Sequence, residues 1–212
     1  MRLVPISALL VLAGCPGAKA PSTPSCPTDR TVVIASQEDV AKVAACTALS
    51  SVTIRTGASI DLRGLRALET ITGDLAIGPT VGLDEVALPE LREVGGTVKI
   101  ASNGSLHGVF LVRLETAGRF EIESNAALTS IALPRLATTR GSLVIAQNGS
   151  LELIDLSELA IVGKDLVIAD NPLLTLIEAG KLTQVMEVRI ERNRGLAPDQ
   201  VDGVRAKPAP EE

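Results

Sequence analysis

A repeat of 22 to 23 residues occupies most of this 212-residue chain and restricts its fold more than any other feature. Each repeat is marked by two apolar residues separated by one position. The seven pairs are Val52/Ile54, Leu75/Ile77, Val98/Ile100, Phe120/Ile122, Leu143/Ile145, Leu166/Ile168 and Val188/Ile190. Because self-similarity at a fixed short period is typical of repeat proteins, the chain is predicted to fold as a stack of equivalent coils.

Two further columns of residues accompany the apolar pairs. Glycine precedes the pair by two or three residues at Gly73, Gly96, Gly118, Gly141 and Gly163. Asparagine follows the pair by three positions at Asn103, Asn125, Asn148, Asn171 and Asn193. The glycines are predicted at corners that need a positive φ or close backbone approach. The asparagines are predicted to form a ladder of buried amides, each bonded to corner backbone and to its counterparts in the neighbouring coils.

The spacing of apolar residues within a coil indicates strands. Apolar positions recur every two or three residues, and no helical run at i, i+3, i+4 and i+7 is present. One coil cannot bury its apolar face alone, whereas stacked coils share a continuous core. Parallel neighbours about 4.8 Å apart would also satisfy one another's backbone groups. The sequence therefore predicts an all-β parallel β-helix, or solenoid, of about seven coils.

The pattern G-x-L-x-I-x-x-N-x-x-L-x-x-I-x-L-x-x-L resembles the receptor L-domain, the ligand-binding β-helix of insulin- and epidermal-growth-factor-type receptors. It is also similar to the leucine-rich repeat, but it has N-x-x-L in place of N-x-L and no helix in each repeat. The resemblance covers roughly residues 26–204. It implies a right-handed solenoid, a disulfide-tied N-terminal cap, and recognition of partners through its faces. Since repeats of this kind carry architecture and no ligand code, only the fold is carried over.

The N-terminus has the layout of a secretory leader. Residues 1–14 contain one Arg, a short apolar run and then small residues, which is typical of a signal peptide. Leu12-Ala13-Gly14-Cys15 resembles the lipobox of bacterial lipoproteins, which implies cleavage before Cys15 and lipidation of its thiol. Residues 15–25 would then be the lipid anchor and a flexible tether. Pro16 stands where Asp often signals inner-membrane retention, so the resemblance favours the outer membrane of a bacterial cell envelope. The alternative is an ordinary signal peptide with a chance Cys.

Residues 26–50 are predicted to cap the stack. Val32 and Ile34 indicate a short strand, and Ser36 can N-cap a helix that runs through Ala45. In an exported protein Cys26 and Cys46 most simply form a disulfide, the alternative being two free thiols. At the other end, Pro198 is predicted to start a short helical cap, and residues 205–212 are predicted to be disordered.

The composition argues against several classes of function. The chain holds one His, three Cys and two Phe, with no Trp or Tyr, and its formal net charge is −5. Without a Lys/Arg cluster or an aromatic platform, nucleic-acid binding is not predicted. No metal, cofactor or nucleophile–base pair is predicted either. His107 is interpreted as structural or solvent-exposed, and Asn103 and Asn148 are assigned to the ladder although each begins a glycosylation motif.

A carbohydrate-active enzyme of the β-helix type is the first alternative to a binding function. Such an enzyme would need several acids together on one outer strand face. Because side chains alternate along a strand, the only strands with two outward acids are those of Glu121/Glu123 and Glu187/Glu191. Neither set is predicted to form an acid/base pair, and no catalytic residue is predicted. A largely structural coat lipoprotein is the second alternative.

One outward cluster indicates an interface. Val144, Ala146, Val167 and Ala169 are predicted to form a two-by-two apolar patch on adjacent coils, bordered by charged residues on both sides. An apolar centre with a charged rim is typical of a modest protein interface, although small and β-branched residues also simply favour strands. We therefore expect a lipid-anchored envelope protein, not an enzyme, that presents a solenoid as a recognition, adhesion or scaffold module for an unknown protein or glycan.

Overall fold

The computed structural model describes residues 26–204, so the predictions for residues 1–25, including lipidation of Cys15, and for residues 205–212 lie outside the described residues. The elements are β1 (Thr31–Ile34), α1 (Gln37–Val43), β2 (Ala48–Leu49), β3 (Ser51–Ile54), a 3₁₀ helix (Leu62–Leu65), β4 (Thr70–Ile71), β5 (Leu75–Ile77), β6 (Glu85–Ala87), β7 (Glu93–Ala101), β8 (Gly108–Phe110), β9 (Thr116–Glu123), β10 (Ser130–Ala132), β11 (Thr138–Thr139), β12 (Leu143–Ala146), β13 (Leu153–Asp155), β14 (Ile161–Val162), β15 (Asp165–Ala169), β16 (Leu176–Glu178), β17 (Glu187–Glu191) and α2 (Pro198–Val204).

The strands form two parallel sheets. The first sheet has twelve strands, with the main order β1-β3-β5-β7-β9-β12-β15-β17, and the second has five, in the order β6-β8-β10-β13-β16. The apolar pairs of successive coils lie in register, as in the pairing of Leu143 with Leu166 and of Ile145 with Ile168. The predicted parallel β-solenoid of about seven turns is confirmed.

The core is a column of aliphatic side chains between the two sheets. Inward residues of the central coils, such as Val98, Leu143 and Ile145, are fully buried, and Phe120 is the largest fully buried side chain. The outward residues of the same strands are polar, charged or small. This alternation follows from the two-residue period of a strand, and it gives the first sheet an outer face that solvent can reach.

The asparagine column forms a hydrogen-bonded ladder inside one corner. Asn125 Nδ2 donates to Asn148 Oδ1 at 3.2 Å, and Asn148 Nδ2 donates to Asn171 Oδ1 at 3.2 Å. Each amide also donates to backbone, as when Asn148 Nδ2 bonds the Ile122 carbonyl at 3.1 Å. Thr80 starts the ladder, because its hydroxyl donates to Asn103 Oδ1 at 2.8 Å. The ladder satisfies corner groups that would otherwise be buried without partners.

At the corners, close backbone approach and positive φ, the two properties predicted for glycine, belong to different residues. Gly118 and Gly163 provide close approach, since a Cβ there would lie 2.4 Å and 2.1 Å from carbonyl oxygens of the preceding coil. The left-handed conformation instead belongs to the residue before each ladder asparagine. These residues are Ser102, Ser124, Gln147, Asp170 and Arg192, with φ between 55° and 59°. Non-glycine residues rarely adopt this conformation. Packing and hydrogen bonds in each corner must therefore offset its energetic cost.

The N-terminal cap contains the disulfide between Cys26 and Cys46. Ser36 caps α1 by accepting the Asp39 N–H, but the helix ends at Val43 and does not reach Ala45. The last turn tightens because the Cys46 N–H bonds the Val43 carbonyl at 2.9 Å, an i to i−3 contact that ends an α-helix. Val40 and Val43 of α1 are buried and cover the first coil.

Removal of the disulfide is expected to lower the free energy of unfolding by about 3 kcal/mol, because the bond restricts a loop of about 20 residues in the unfolded chain. The test is urea unfolding of a variant with Cys26→Ala and Cys46→Ala beside the oxidised parent. Reduction of the parent by a thiol should reproduce the loss. An unchanged unfolding midpoint in both the variant and the reduced parent would show that the cap is stable without the bond.

Candidate functional site

The predicted apolar patch lies on the outer face of the first sheet, where β12 pairs with β15. Val144 pairs with Val167, and Ala146 pairs with Ala169, so the four side chains occupy adjacent positions on two neighbouring strands. The strands on either side carry charges. On one side Glu121 and Glu123 of β9 stand opposite the patch, and on the other side Arg189 and Glu191 of β17 do so.

The four residues of the patch differ in exposure. Val144, Ala146 and Val167 are half-buried, whereas Ala169 is only 6% exposed. Neighbouring strands lie about 4.8 Å apart, so small side chains on a flat sheet shield one another. The accessible part of the patch is therefore three side chains wide, and Ala169 contributes little surface to it.

On the β9 side, Glu121 forms two ion pairs. Glu121 Oε2 lies 3.1 Å from Lys99 Nζ, and Glu121 Oε1 lies 2.6 Å from an Arg119 guanidinium nitrogen. Glu121 is 9% exposed, and both of its oxygens are occupied. A carboxylate with an ion-pair partner at each oxygen has neither oxygen open to a substrate, so Glu121 suits a structural role better than that of a general acid.

A cluster of three charged side chains, Asp170, Glu191 and Arg192, lies at the corner next to the patch. Arg192 forms two hydrogen bonds with the Asp170 carboxylate, at 2.5 Å and 2.8 Å, and one with Glu191 at 2.7 Å. The Arg192 guanidinium lowers the pKa of Asp170 below its ordinary value, and Asp170 in turn raises the pKa of Arg192. Both groups are charged at neutral pH and give the patch a fixed ionic border.

The remaining candidate residues lie apart from the patch. His107 is exposed, and its Nδ1 lies 2.7 Å from Asp84 Oδ1, at the turn before β8. Asn103 and Asn148 are fully buried in the ladder, where no glycan could reach them. Within residues 26–204, no group of three or more His, Cys, Asp or Glu side chains is arranged to hold a metal ion.

Two features of the surface were missed by the sequence analysis. The first is a set of ion pairs between equivalent positions of successive coils, such as Arg92 with Glu115 at 3.1 Å and Lys181 with Glu158 at 2.6 Å. Alignment of the repeats by charge would have found them. The second is the outer face of the second sheet, where Phe110 stands beside Ala87 and Ala132 on neighbouring strands. The Phe110 ring lies over Gly108, because glycine has no side chain to occupy that space.

The structure places the protein in the class of parallel β-solenoids. No helix in residues 26–204 is long and apolar enough to cross a membrane. No family model matches the chain, and comparison with curated proteins and with solved structures finds no match.

Proposed function

We propose that this protein is a lipid-anchored component of the bacterial envelope, and that its solenoid binds a protein or glycan partner through the outer face of the first sheet. The lipobox-like sequence that ends at Cys15 supports the anchor. The rigid stack of coils supports a display function, because it holds a flat face in one conformation. A rigid binding surface loses little entropy when a partner docks.

The observation that carries the binding function is the register of β12 and β15. This register sets Val144 beside Val167 and borders them with Glu121 and Arg189. Apolar residues in the centre exclude water, and charged residues at the rim select the orientation of the partner. The occupied oxygens of Glu121 make a glycan-cleaving function on this face the weaker candidate.

The patch is tested with three proteins that span residues 15–212 and carry Cys15→Ser, so that none bears a lipid. The first has no other change, and the second has Val144→Glu with Val167→Glu. The third is the control and has Val81→Glu with Val112→Glu. These two valines are also exposed, but neither belongs to the first sheet. Each is immobilised and exposed to envelope extract and to purified envelope polysaccharide. Any retained partner is then purified and its affinity is measured.

We expect the first and third proteins to bind the same partner and the second to bind at least about tenfold more weakly, since two central contacts are replaced by charges. Equal binding by all three would place the site elsewhere on the solenoid. Binding by none would contradict the recognition function and favour a structural coat protein or an enzyme. Far-UV circular dichroism of the three proteins confirms that each is folded.

A further inference from the structure

The two ends of the solenoid are covered differently. The second sheet ends at β16, and α2 packs there, with Gln200 Oε1 accepting the Ile177 N–H at 3.4 Å. The first sheet ends at β17, and no strand within residues 26–204 pairs with the side of β17 that faces away from β15. We call this side of β17 the open edge.

The open edge presents backbone groups that can pair with a further strand. In an earlier coil, the inward residue Val52 donates its N–H to the carbonyl of Asp74 in the following coil. Val188 and Ile190 occupy the same inward positions in the last coil. Because residues of a parallel strand alternate in the direction of their N–H and C=O groups, those of Val188 and Ile190 point to the open edge.

The open edge also exposes apolar side chains. At the other end of the first sheet, the inward residues Val32 and Ile34 of β1 are buried beneath the cap. The equivalent residues Val188 and Ile190 are only half-buried. Met186, just before β17, is 76% exposed and is the most exposed large apolar residue of residues 26–204. An unpaired strand edge with an uncovered apolar end is a template for association.

We propose that the open edge binds a second copy of this chain, with the two β17 strands antiparallel and Val188 on the two-fold axis. This register sets Glu187 of each copy opposite Arg189 of the other, so two ion pairs form on the outer face. A register centred on Arg189 would instead set Arg opposite Arg and Glu187 opposite Glu191, and is disfavoured by repulsion. The alternating charges of β17 are thus self-complementary in a symmetric pair.

The same register covers the apolar end of the stack. It sets Val188 against its own copy and brings Ile190 opposite Met186 of the second copy. The first sheet would then continue from one solenoid into the next. The two Val167 side chains would lie on one continuous face, three strand spacings apart across the strands and two residues apart along them, which is about 16 Å in all. The dimer does not depend on the proposed ligand, but it would offer a ligand two patches at once.

The test measures the mass of the chain spanning residues 15–212 with Cys15→Ser by sedimentation equilibrium over micromolar concentrations. We expect a monomer–dimer equilibrium. Arg189→Glu should weaken it by about 30-fold or more, because both attractive pairs become repulsive. Arg189→Glu combined with Glu187→Arg should restore it, because the swapped charges are again complementary. Both positions are exposed, so neither variant should alter folding.

A second measurement locates the contact. Hydrogen exchange at the Val188 and Ile190 amides should slow as the protein concentration rises, which distinguishes a second copy from cover by residues 205–212 of the same chain. A monomer at all concentrations would overturn the proposal. A dimer that is unaffected by Arg189→Glu would overturn the register. Open-ended oligomers that are lost on Val33→Glu would show head-to-tail pairing of β17 with β1 and would overturn the two-fold arrangement.

Discussion

Replacement of Asn148 by Leu is expected to lower the free energy of unfolding by about 3–5 kcal/mol, because it leaves several buried groups without partners. Asn148 Oδ1 accepts both the backbone N–H and the Nδ2 of Asn125, at 3.1 Å and 3.2 Å. Its Nδ2 donates to the Ile122 carbonyl and to Asn171 Oδ1. Leucine has the same number of side-chain heavy atoms and the same branching as asparagine, so the loss comes from unsatisfied polar groups more than from a cavity.

Asn193→Leu is the matched control, since it makes the same chemical change at the end of the ladder. Asn193 is half-buried, accepting the Asn171 N–H at 2.9 Å and donating to the Ile168 carbonyl at 2.8 Å. Water can replace these bonds at the end of the stack, so we expect a loss of only about 1 kcal/mol. Urea unfolding of both variants measures the difference. Equal losses would mean that the ladder acts at each coil separately, and that burial in the middle adds nothing.

The repeat made the fold predictable. A period of 22 to 23 residues fixes which residues stack, and the two-residue alternation then fixes which side chains face the core. The pairing of Val144 with Val167 could be foreseen for this reason, since both residues hold the same place in adjacent coils. The ladder could be foreseen because an amide that recurs beside a buried strand needs partners, and its own counterparts are the nearest groups.

Features that do not recur as one residue type in each coil could not be predicted from the repeat. The left-handed corner is occupied by residues as different as Ser102, Gln147 and Arg192, so the conformation is imposed by the stack and has no sequence signal. The low exposure of Ala169 depends on its neighbours in the sheet, Ala146 and Glu191, and alternation alone does not predict how far they cover it. The end of α1 at Val43 depends on a tightened turn, in which the Cys46 N–H bonds the carbonyl three residues before it and not the one four residues before it.

Cys15→Ala is expected to move the protein from the membrane fraction to the soluble fraction, with a change of at least about 100-fold in the ratio of bound to free protein. The resemblance to the lipobox implies that this thiol accepts a diacylglyceryl group. Each buried CH₂ of an acyl chain contributes about 0.8 kcal/mol, so two chains give stable anchoring where one gives only reversible binding. Fractionation of cells, with an alkaline wash of the membranes, measures the ratio.

The variant with Cys26→Ala and Cys46→Ala is the matched control, because it also removes cysteines but leaves Cys15 in place. It should stay with the membranes and keep a metabolically incorporated fatty-acid label, whereas Cys15→Ala should lose both. If the unmodified protein is already soluble, residues 1–14 are an ordinary signal peptide and the anchor does not exist. If Cys15→Ala remains in the membrane fraction although N-terminal sequencing shows that residues 1–14 have been removed, the solenoid itself is held there by a partner. The apolar patch and the open edge would then be the first surfaces to alter, because both have apolar side chains that solvent can reach.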